Sequence, residues 1–173
     1  VRRTQCLPWW VVRNSGPRTE IGQHVHPVIC LITPSVHADT DEEDALVDRV
    51  AMAARAGVHL IQIRQAEQDA RSLRRLVARS VQAVAGTAAR ILVNERLDVA
   101  LVAGAHGVHL RGGSMPAARV RAIVPPGFLI GRSVHSADES RRVMLGGGLD
   151  YMLFGTVFAT PSKPGTAGVG ASA

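Results

Sequence analysis

Two apolar segments of this sequence end in residues that can do chemistry. The first ends in Ser133 and His135, and the second is followed by Thr160, Ser162 and Lys163. An imidazole titrates near neutral pH and can transfer protons, whereas an ammonium group beside hydroxyls can bind phosphate. Open α/β sheets and (β/α) barrels place their sites just beyond the C-terminal ends of strands. We therefore predict a site for a phosphorylated small molecule, with His135 as the proton carrier.

Three further apolar segments carry polar residues at or near their C-terminal ends. Gln62 and Arg64 close one segment, Asn94 and Glu95 follow the next, and His109 lies near the end of the third. Alternate residues of a strand point to opposite faces, so Gln62 and Arg64 share a face. We expect these side chains to converge on the same end of the sheet, with His109 filling the interior.

Six apolar segments alternate with amphipathic helical patterns from residue 28 onwards. Capping boxes formed by Thr40 with Glu43 and by Ser136 with Glu139 mark two helix starts. Continuous apolar strands that alternate with helices are typical of a parallel sheet covered on both faces. Consecutive units without a long crossover favour a barrel. The predicted strands are residues 28–33, 59–64, 90–94, 107–110, 129–133 and 151–155.

The number of predicted units is smaller than a complete barrel requires. An eight-stranded (β/α)8 TIM barrel usually takes about 250 residues. The sequence predicts an α/β fold of this type that is incomplete, with about six βα units and without strands 7 and 8. Residues 1–26 read as a disordered basic extension, 27–165 as the partial TIM barrel and 166–173 as a flexible tail. A homo-oligomer could cover the open edges of such a sheet.

The composition excludes several classes of protein. The chain has 46% hydrophobic residues and a formal net charge of +6, from 19 arginines and one lysine against 14 acidic residues. The arginines are spread along helical patterns without interleaved aromatic residues, so we predict no nucleic-acid partner. The apolar segments are too short to cross a membrane. We therefore expect a cytoplasmic protein with a small-molecule ligand and no membrane partner.

Four motifs resemble the thiamin phosphate synthase/TenI superfamily. They are IQIR (61–64), LVNERLDVALVAGAHGVHL (92–110), LIGRSVHS (129–136) and LDYMLFGTVFATPSKPG (149–165), in the order and at the spacing of that family. The resemblance implies a TIM barrel that handles the phosphorylated thiazole of thiamin (vitamin B1) biosynthesis. It also implies substrate contacts for Gln62, Arg64, Asn94 and Ser133, phosphate contacts for Thr160, Ser162 and Lys163, and acid/base catalysis by His135.

Two activities share this family resemblance. The synthase joins an aminopyrimidine pyrophosphate to the thiazole phosphate, and it uses Mg²⁺ held by two aspartates to stabilise the departing pyrophosphate. The TenI-type tautomerase moves a proton on thiazole carboxylate phosphate without a metal or other cofactor. At three positions where the synthase has a lysine and two aspartates, this sequence has Ala66, Glu95 and Ser114.

These departures favour the tautomerase, an isomerase with no cofactor, as the predicted function. Serine is a poor ligand for a hard cation, and alanine removes a positive charge. The first alternative is the synthase, a transferase, with Glu95 as a ligand of Mg²⁺. The second alternative is a non-catalytic relative that binds ligand or serves regulation, since strands 7 and 8 are absent from the predicted fold.

Overall fold

The computed structural model describes residues 28–158, 168 and 170 of the 173-residue chain. Strands and helices alternate strictly over this part of the chain. The elements are β1 (Cys30–Ile32), α1 (Asp41–Arg55), β2 (Leu60–Ile63), α2 (Ala70–Ala83), β3 (Arg90–Asn94), α3 (Leu97–Val102), β4 (Gly107–Leu110), α4 (Ala117–Arg121), β5 (Leu129–Val134), α5 (Ala137–Gly146) and β6 (Tyr151–Phe154).

The six strands form one parallel sheet in the order of the chain, β1 to β6. Each strand pairs with the next one in sequence, as expected when every connection passes through a helix on the same side. The sheet is curled into a half-barrel with the helices outside it. The predicted TIM-barrel type of fold with about six βα units is confirmed.

Two apolar layers lie on opposite faces of this sheet. The larger layer packs the helices against the outward side chains of the strands, such as Ile61, Val93 and Ile130, which are fully buried. The smaller layer fills the base of the half-barrel interior. It consists of Leu60, Leu92, Leu129 and Tyr151, with Val28, Cys30 and Leu153 packed against them.

Three of the helices begin at side chains that accept hydrogen bonds from the first turn. Thr40 and Ser136 accept from the backbone N–H of Glu43 and Glu139, as the two capping boxes predicted. Asp69 caps α2 in the same way, through the N–H groups of the second and third helical residues. These caps fix the point at which each loop from the site end of the sheet enters its helix.

The first two strands are shorter than the sequence predicted. The backbone N–H of Thr33 still donates to the carbonyl of Gln62 at 3.0 Å, but Pro34 has no N–H with which to continue the ladder. Beyond β2, the N–H of Arg64 donates to the side-chain oxygen of Thr33 at 3.0 Å. The loops after β1 and β2 therefore begin one residue earlier than the apolar pattern indicates.

The predicted extension over residues 1–26 lies outside the described residues, as does most of the predicted tail over 166–173. Within the part of the chain that the structure describes, no helix is long and apolar enough to cross a membrane.

Candidate functional site

Gln62 and Asn94 are held together at the C-terminal ends of β2 and β3. The side-chain Nε2 of Gln62 donates to Oδ1 of Asn94 at 2.9 Å. Gln62 is only 3% exposed, and its Oε1 is buried with no hydrogen-bond partner in the structure. An unpaired buried carbonyl oxygen is costly, so an N–H donor beside this atom would be stabilising. The predicted substrate residue Arg64 follows β2 with an exposed side chain.

Glu95 joins the end of β3 to the loop after β4. Its Oε1 accepts from the Ser114 hydroxyl and from the backbone N–H of Arg111, and its Oε2 lies 3.5 Å from Nε of Arg111. Glu95 has a φ of +67°, which a residue other than glycine rarely adopts. The strained backbone therefore directs this carboxylate onto the loop that carries Ser114.

These contacts keep Glu95 ionised. Partial burial acts to raise the pKa of its carboxyl group, but the hydrogen bonds from Ser114 and Arg111 and the charge of Arg111 outweigh it and lower the pKa below its usual value. The site therefore holds a fixed negative charge on Glu95 beside the positive charge of Arg111.

A chain of three polar side chains crosses the interior from β6 to β5. The hydroxyl of Tyr151 lies 3.0 Å from Nδ1 of His109, and Nε2 of His109 lies 2.8 Å from the hydroxyl of Ser133. His109 and Tyr151 are 2% and 4% exposed, whereas Ser133 is half-buried. Burial lowers the pKa of His109 to about 4, so the ring is neutral at physiological pH.

Gly131 makes room for this chain. It lies opposite both His109 and Tyr151 in the strand register. A Cβ atom at this position would overlap the Tyr151 ring and its hydroxyl. Only glycine therefore allows Tyr151 to lean across β5 toward β4.

His135 follows β5 and is exposed. Its Nδ1 is hydrogen-bonded to the carbonyl of Gly155 at the end of β6, and its backbone N–H donates to Oε2 of Glu139 at 2.7 Å. A carbonyl can only accept, so Nδ1 carries a proton, and in the neutral ring Nε2 then presents a lone pair. The imidazole is thus oriented as a base.

Arg132 fixes the loop that carries Ser114. Its side chain is 7% exposed and points away from the interior, beneath the loop between β4 and α4. The guanidinium donates to the carbonyls of Gly112, Ser114 and Met115 at 2.6, 3.2 and 3.2 Å. A guanidinium has five N–H donors in a fixed plane, so it can bind several carbonyls of an irregular loop at once.

The predicted phosphate-binding residues Thr160, Ser162 and Lys163 lie outside the described residues. Their predicted role, and the predicted approach of Lys163 to His135, stay predictions. The described part of the site is the set of side chains at the ends of β2 to β5 and the carbonyl at the end of β6.

Known proteins share the sequence pattern and the fold of this chain. A sequence profile of the family described as thiamine monophosphate synthase (TMP-TENI) matches residues 29–173. The chain belongs to the thiamine monophosphate synthase family. The resemblance at the level of the superfamily is therefore confirmed.

Several curated relatives of this family are named thiamine-phosphate synthase. The protein from Gloeobacter violaceus is 37% identical over 131 residues, covering 76% of this chain and 38% of the relative. That from Chlorobium luteolum is 36% identical over 137 residues, covering 79% of this chain and 61% of the relative. These names favour the synthase over the predicted tautomerase branch.

A solved structure supports the same fold. The thiamine phosphate pyrophosphorylase from Pyrococcus furiosus superposes with a TM-score of 0.65 at 29% identity, covering 77% of this chain and 62% of that one. This chain thus spans less than two thirds of the length of the synthase relatives and of this solved structure.

The sequence alone did not reveal the roles of several site residues in this family member. Tyr151 and Arg132 were counted as parts of strands, and His109 as interior filling. Only the pairing of β4 with β5 and of β5 with β6 brings them beside Ser133 and Ser114. The signal that could have revealed Tyr151 is Gly131, since a glycine inside a strand often marks a close approach.

Proposed function

We propose that this chain catalyses the thiamine-phosphate synthase reaction, which couples an aminopyrimidine pyrophosphate to a thiazole phosphate and releases pyrophosphate. The names of the curated relatives support this proposal. It concerns the whole protein, since the chain spans only part of the length of those relatives.

The observation that favours this reaction is the unpaired Oε1 of Gln62. This acceptor is buried in the interior beside Asn94. The exocyclic amino group of an aminopyrimidine would supply the hydrogen bond that the oxygen lacks. Thiazole carboxylate phosphate, the substrate of the tautomerase, carries no amino group. The interior of the half-barrel is therefore better suited to the substrate of the synthase.

Stabilisation of the departing pyrophosphate requires positive charge near the ends of the strands. Arg64 and Arg111 supply two guanidinium groups there, after β2 and β4 respectively. Arginine matches phosphate oxygens with paired donors. We propose that these two side chains bind the pyrophosphate group.

The Mg²⁺ that the resemblance implies does not fit this strand end. Among the described residues no group of three or more histidines, cysteines or acidic residues could hold a metal ion. Glu95 is the one carboxylate in the Glu95–Ser114–Arg111 contact, and both of its oxygens already face donors or a cation. Serine adds only a neutral oxygen. No step of the reaction is therefore assigned to a metal ion.

A second candidate is the TenI-type tautomerase, and the orientation of His135 favours it. Its Nδ1 is fixed by the carbonyl of Gly155, so Nε2 can take a proton from a ligand. An exposed imidazole that is held in one tautomer suits proton transfer on thiazole carboxylate phosphate.

The experiment that separates the two candidates gives the purified chain either the two substrates of the synthase or thiazole carboxylate phosphate, the substrate of the tautomerase. The synthase proposal expects thiamine phosphate and pyrophosphate as products, measured with and without Mg²⁺. Isomerisation of thiazole carboxylate phosphate without coupling would support the tautomerase instead. His135→Ala should abolish the isomerisation, whereas His37→Ala, in the exposed β1–α1 loop, serves as the matched control. Coupling at an undiminished rate in Gln62→Leu would contradict the role given to Gln62.

A further inference from the structure

Ser133 lies at the end of the chain of side chains that begins at Tyr151. Both links are short, at 3.0 Å from Tyr151 to His109 and 2.8 Å from His109 to Ser133. A neutral imidazole has one N–H and one lone pair. One ring nitrogen of His109 therefore donates a hydrogen bond and the other accepts one. Two arrangements are therefore possible, and they leave different atoms of Ser133 free.

In the first arrangement Nδ1 of His109 donates to Tyr151 and Nε2 accepts from Ser133. The hydroxyl proton of Tyr151 would then have no acceptor, because His109 is its one hydrogen-bond partner among the described residues. Tyr151 is 4% exposed, so little of its surface faces bulk water. An unpaired buried donor carries the full cost of its lost hydration.

In the second arrangement Tyr151 donates to Nδ1 of His109, and the Nε2–H of His109 donates to the oxygen of Ser133. Only lone pairs of Tyr151 are left without a partner, and these are less costly than an unpaired donor. The Ser133 oxygen then accepts the hydrogen bond from His109, and the hydroxyl proton of Ser133 is free. Ser133 is half-buried, so this proton is accessible from the interior of the half-barrel.

We propose that Tyr151 and His109 are positioning residues that hold the hydroxyl of Ser133 as a hydrogen-bond donor toward an anionic oxygen of the bound ligand. We call the hydrogen-bonded series from Tyr151 through His109 to Ser133 the relay. Its direction rests on the buried hydroxyl of Tyr151. The anionic ligand rests on the proposed function, in which a pyrophosphate group occupies this end of the sheet. A serine oxygen that accepts from Nε2–H of His109 leaves the hydroxyl proton free to donate to the ligand.

The relay is independent of pH over the physiological range. The ionisable groups around His109 are Tyr151 from β6, and Glu95 at the end of β3, whose charge acts to raise the pKa of the ring. Burial outweighs this charge and keeps the ring neutral, and it also keeps Tyr151 protonated. The same direction of donation therefore holds wherever the protein is folded near neutral pH.

Nitrogen-15 NMR of the histidine ring tests the direction without any ligand. In the wild-type chain we expect a pyridine-type Nδ1 and a protonated, pyrrole-type Nε2 for His109. Tyr151→Phe keeps the ring but removes the hydroxyl, and it should let the two tautomers mix. Ser133→Ala is the matched variant, since it leaves the Tyr151 link intact and should preserve the tautomer. A protonated Nδ1 in the wild-type chain would overturn the relay.

Binding of inorganic pyrophosphate, measured by calorimetry on the same proteins, tests the consequence. We expect Ser133→Ala to weaken binding about tenfold and Tyr151→Phe about fivefold, while Ser133→Thr retains the affinity. Unchanged affinity in both Ser133→Ala and Tyr151→Phe would overturn the role of the relay in binding. Failure of the wild-type chain to bind pyrophosphate would overturn the proposed function, and the ring spectra would still decide the direction of the relay.

Discussion

Glu95 shows how two neighbouring residues set the chemistry of a carboxylate. The sequence predicts it as a metal ligand for the synthase alternative. In the structure its oxygens are instead engaged by Ser114 and Arg111. A carboxylate that is neutralised by a guanidinium has less charge to offer a divalent cation. The difference lies in Arg111 and Ser114 and could not be read from Glu95 alone.

Replacing Ser114 with aspartate should create an affinity for Mg²⁺. The new carboxylate would lie against Glu95, and two like charges at this distance favour a divalent cation between them. We expect Mg²⁺ to bind at least about tenfold more tightly to Ser114→Asp than to the wild-type chain. Calorimetric titration measures this, with Ser35→Asp in the exposed β1–α1 loop as the control. Equal affinities in the two variants would contradict the prediction.

His109 should make the stability of the fold depend on pH. Burial lowers its pKa to about 4, from the ordinary value of 6.5 that the unfolded chain has. Between these values the unfolded chain binds a proton that the folded chain does not. The stabilisation is therefore complete above about pH 6.5 and is lost as the pH falls toward 4.

The full shift in the pKa of His109 corresponds to about 3 kcal/mol in the free energy of unfolding. Urea unfolding at pH 7 and at pH 4.5 should show a smaller pH dependence in His109→Gln than in the wild-type chain. His37→Gln removes an exposed histidine and should leave the dependence as it is. A pH dependence in His109→Gln equal to that of the wild-type chain would refute the assignment.

At the scale of elements, the loop between β4 and α4 depends on a residue of β5. Arg132 donates to three carbonyls of this loop from beneath it. Replacement by methionine leaves these carbonyls without a charged donor, so we expect a loss of about 2 kcal/mol in the free energy of unfolding. Hydrogen exchange of the amides from 111 to 115 should become faster.

The matched variant is Arg119→Met on α4, where the side chain is exposed. Surface substitutions of this kind usually change stability by less than about 0.5 kcal/mol. If both variants exchanged the loop amides at the same rate, Arg132 would not be the residue that holds the loop.

The approach of β4 to β5 depends on a glycine. A Cβ atom at Gly107 would overlap the backbone oxygen and Cβ of Leu129. Gly107→Ala should therefore destabilise the fold by about 2 kcal/mol, as overpacking of a core does. Gly113→Ala meets nothing within 4 Å and should be near neutral. Thermal unfolding of the two variants compares the sites directly, and equal melting temperatures would exclude close packing at Gly107.

The element level is also where the sequence was most informative. Each strand is an apolar run bounded by turn residues, and the starts of α1 and α5 follow from their capping boxes, so the order of elements was predictable. The contacts of Ser133 and Glu95 were not, because they depend on which residues the neighbouring strands place opposite them. Local patterns carry no information on that register.

At the scale of the whole molecule, β1 and β6 each pair with one strand among the described residues. Apolar side chains of β1 remain exposed, with Leu31 at 38% and Ile32 at 45%. Unpaired strand edges with apolar side chains tend to join another chain. The homo-oligomer that the sequence analysis expected stays a prediction on this basis.

Ile32→Lys should reduce concentration-dependent association of the chain. A lysine at an edge strand opposes the addition of another strand and adds charge to the exposed surface. Sedimentation velocity over a range of concentrations measures the effect. Val102→Lys, at an exposed apolar position on α3, controls for the added charge. Association that is equally weakened by the two variants would exclude β1 as the contact.

The two faces of the sheet differ in what they contribute. Among the described residues, the packing of helices against the outward side chains supplies most of the buried apolar residues, whereas the apolar cluster of the inward face has four buried members. Substitutions of the exposed polar residues after the strands, such as Arg64 and Arg111, can therefore accumulate at small cost to folding. Over evolutionary time a scaffold of this kind can exchange one substrate preference for another while its outer shell stays the same.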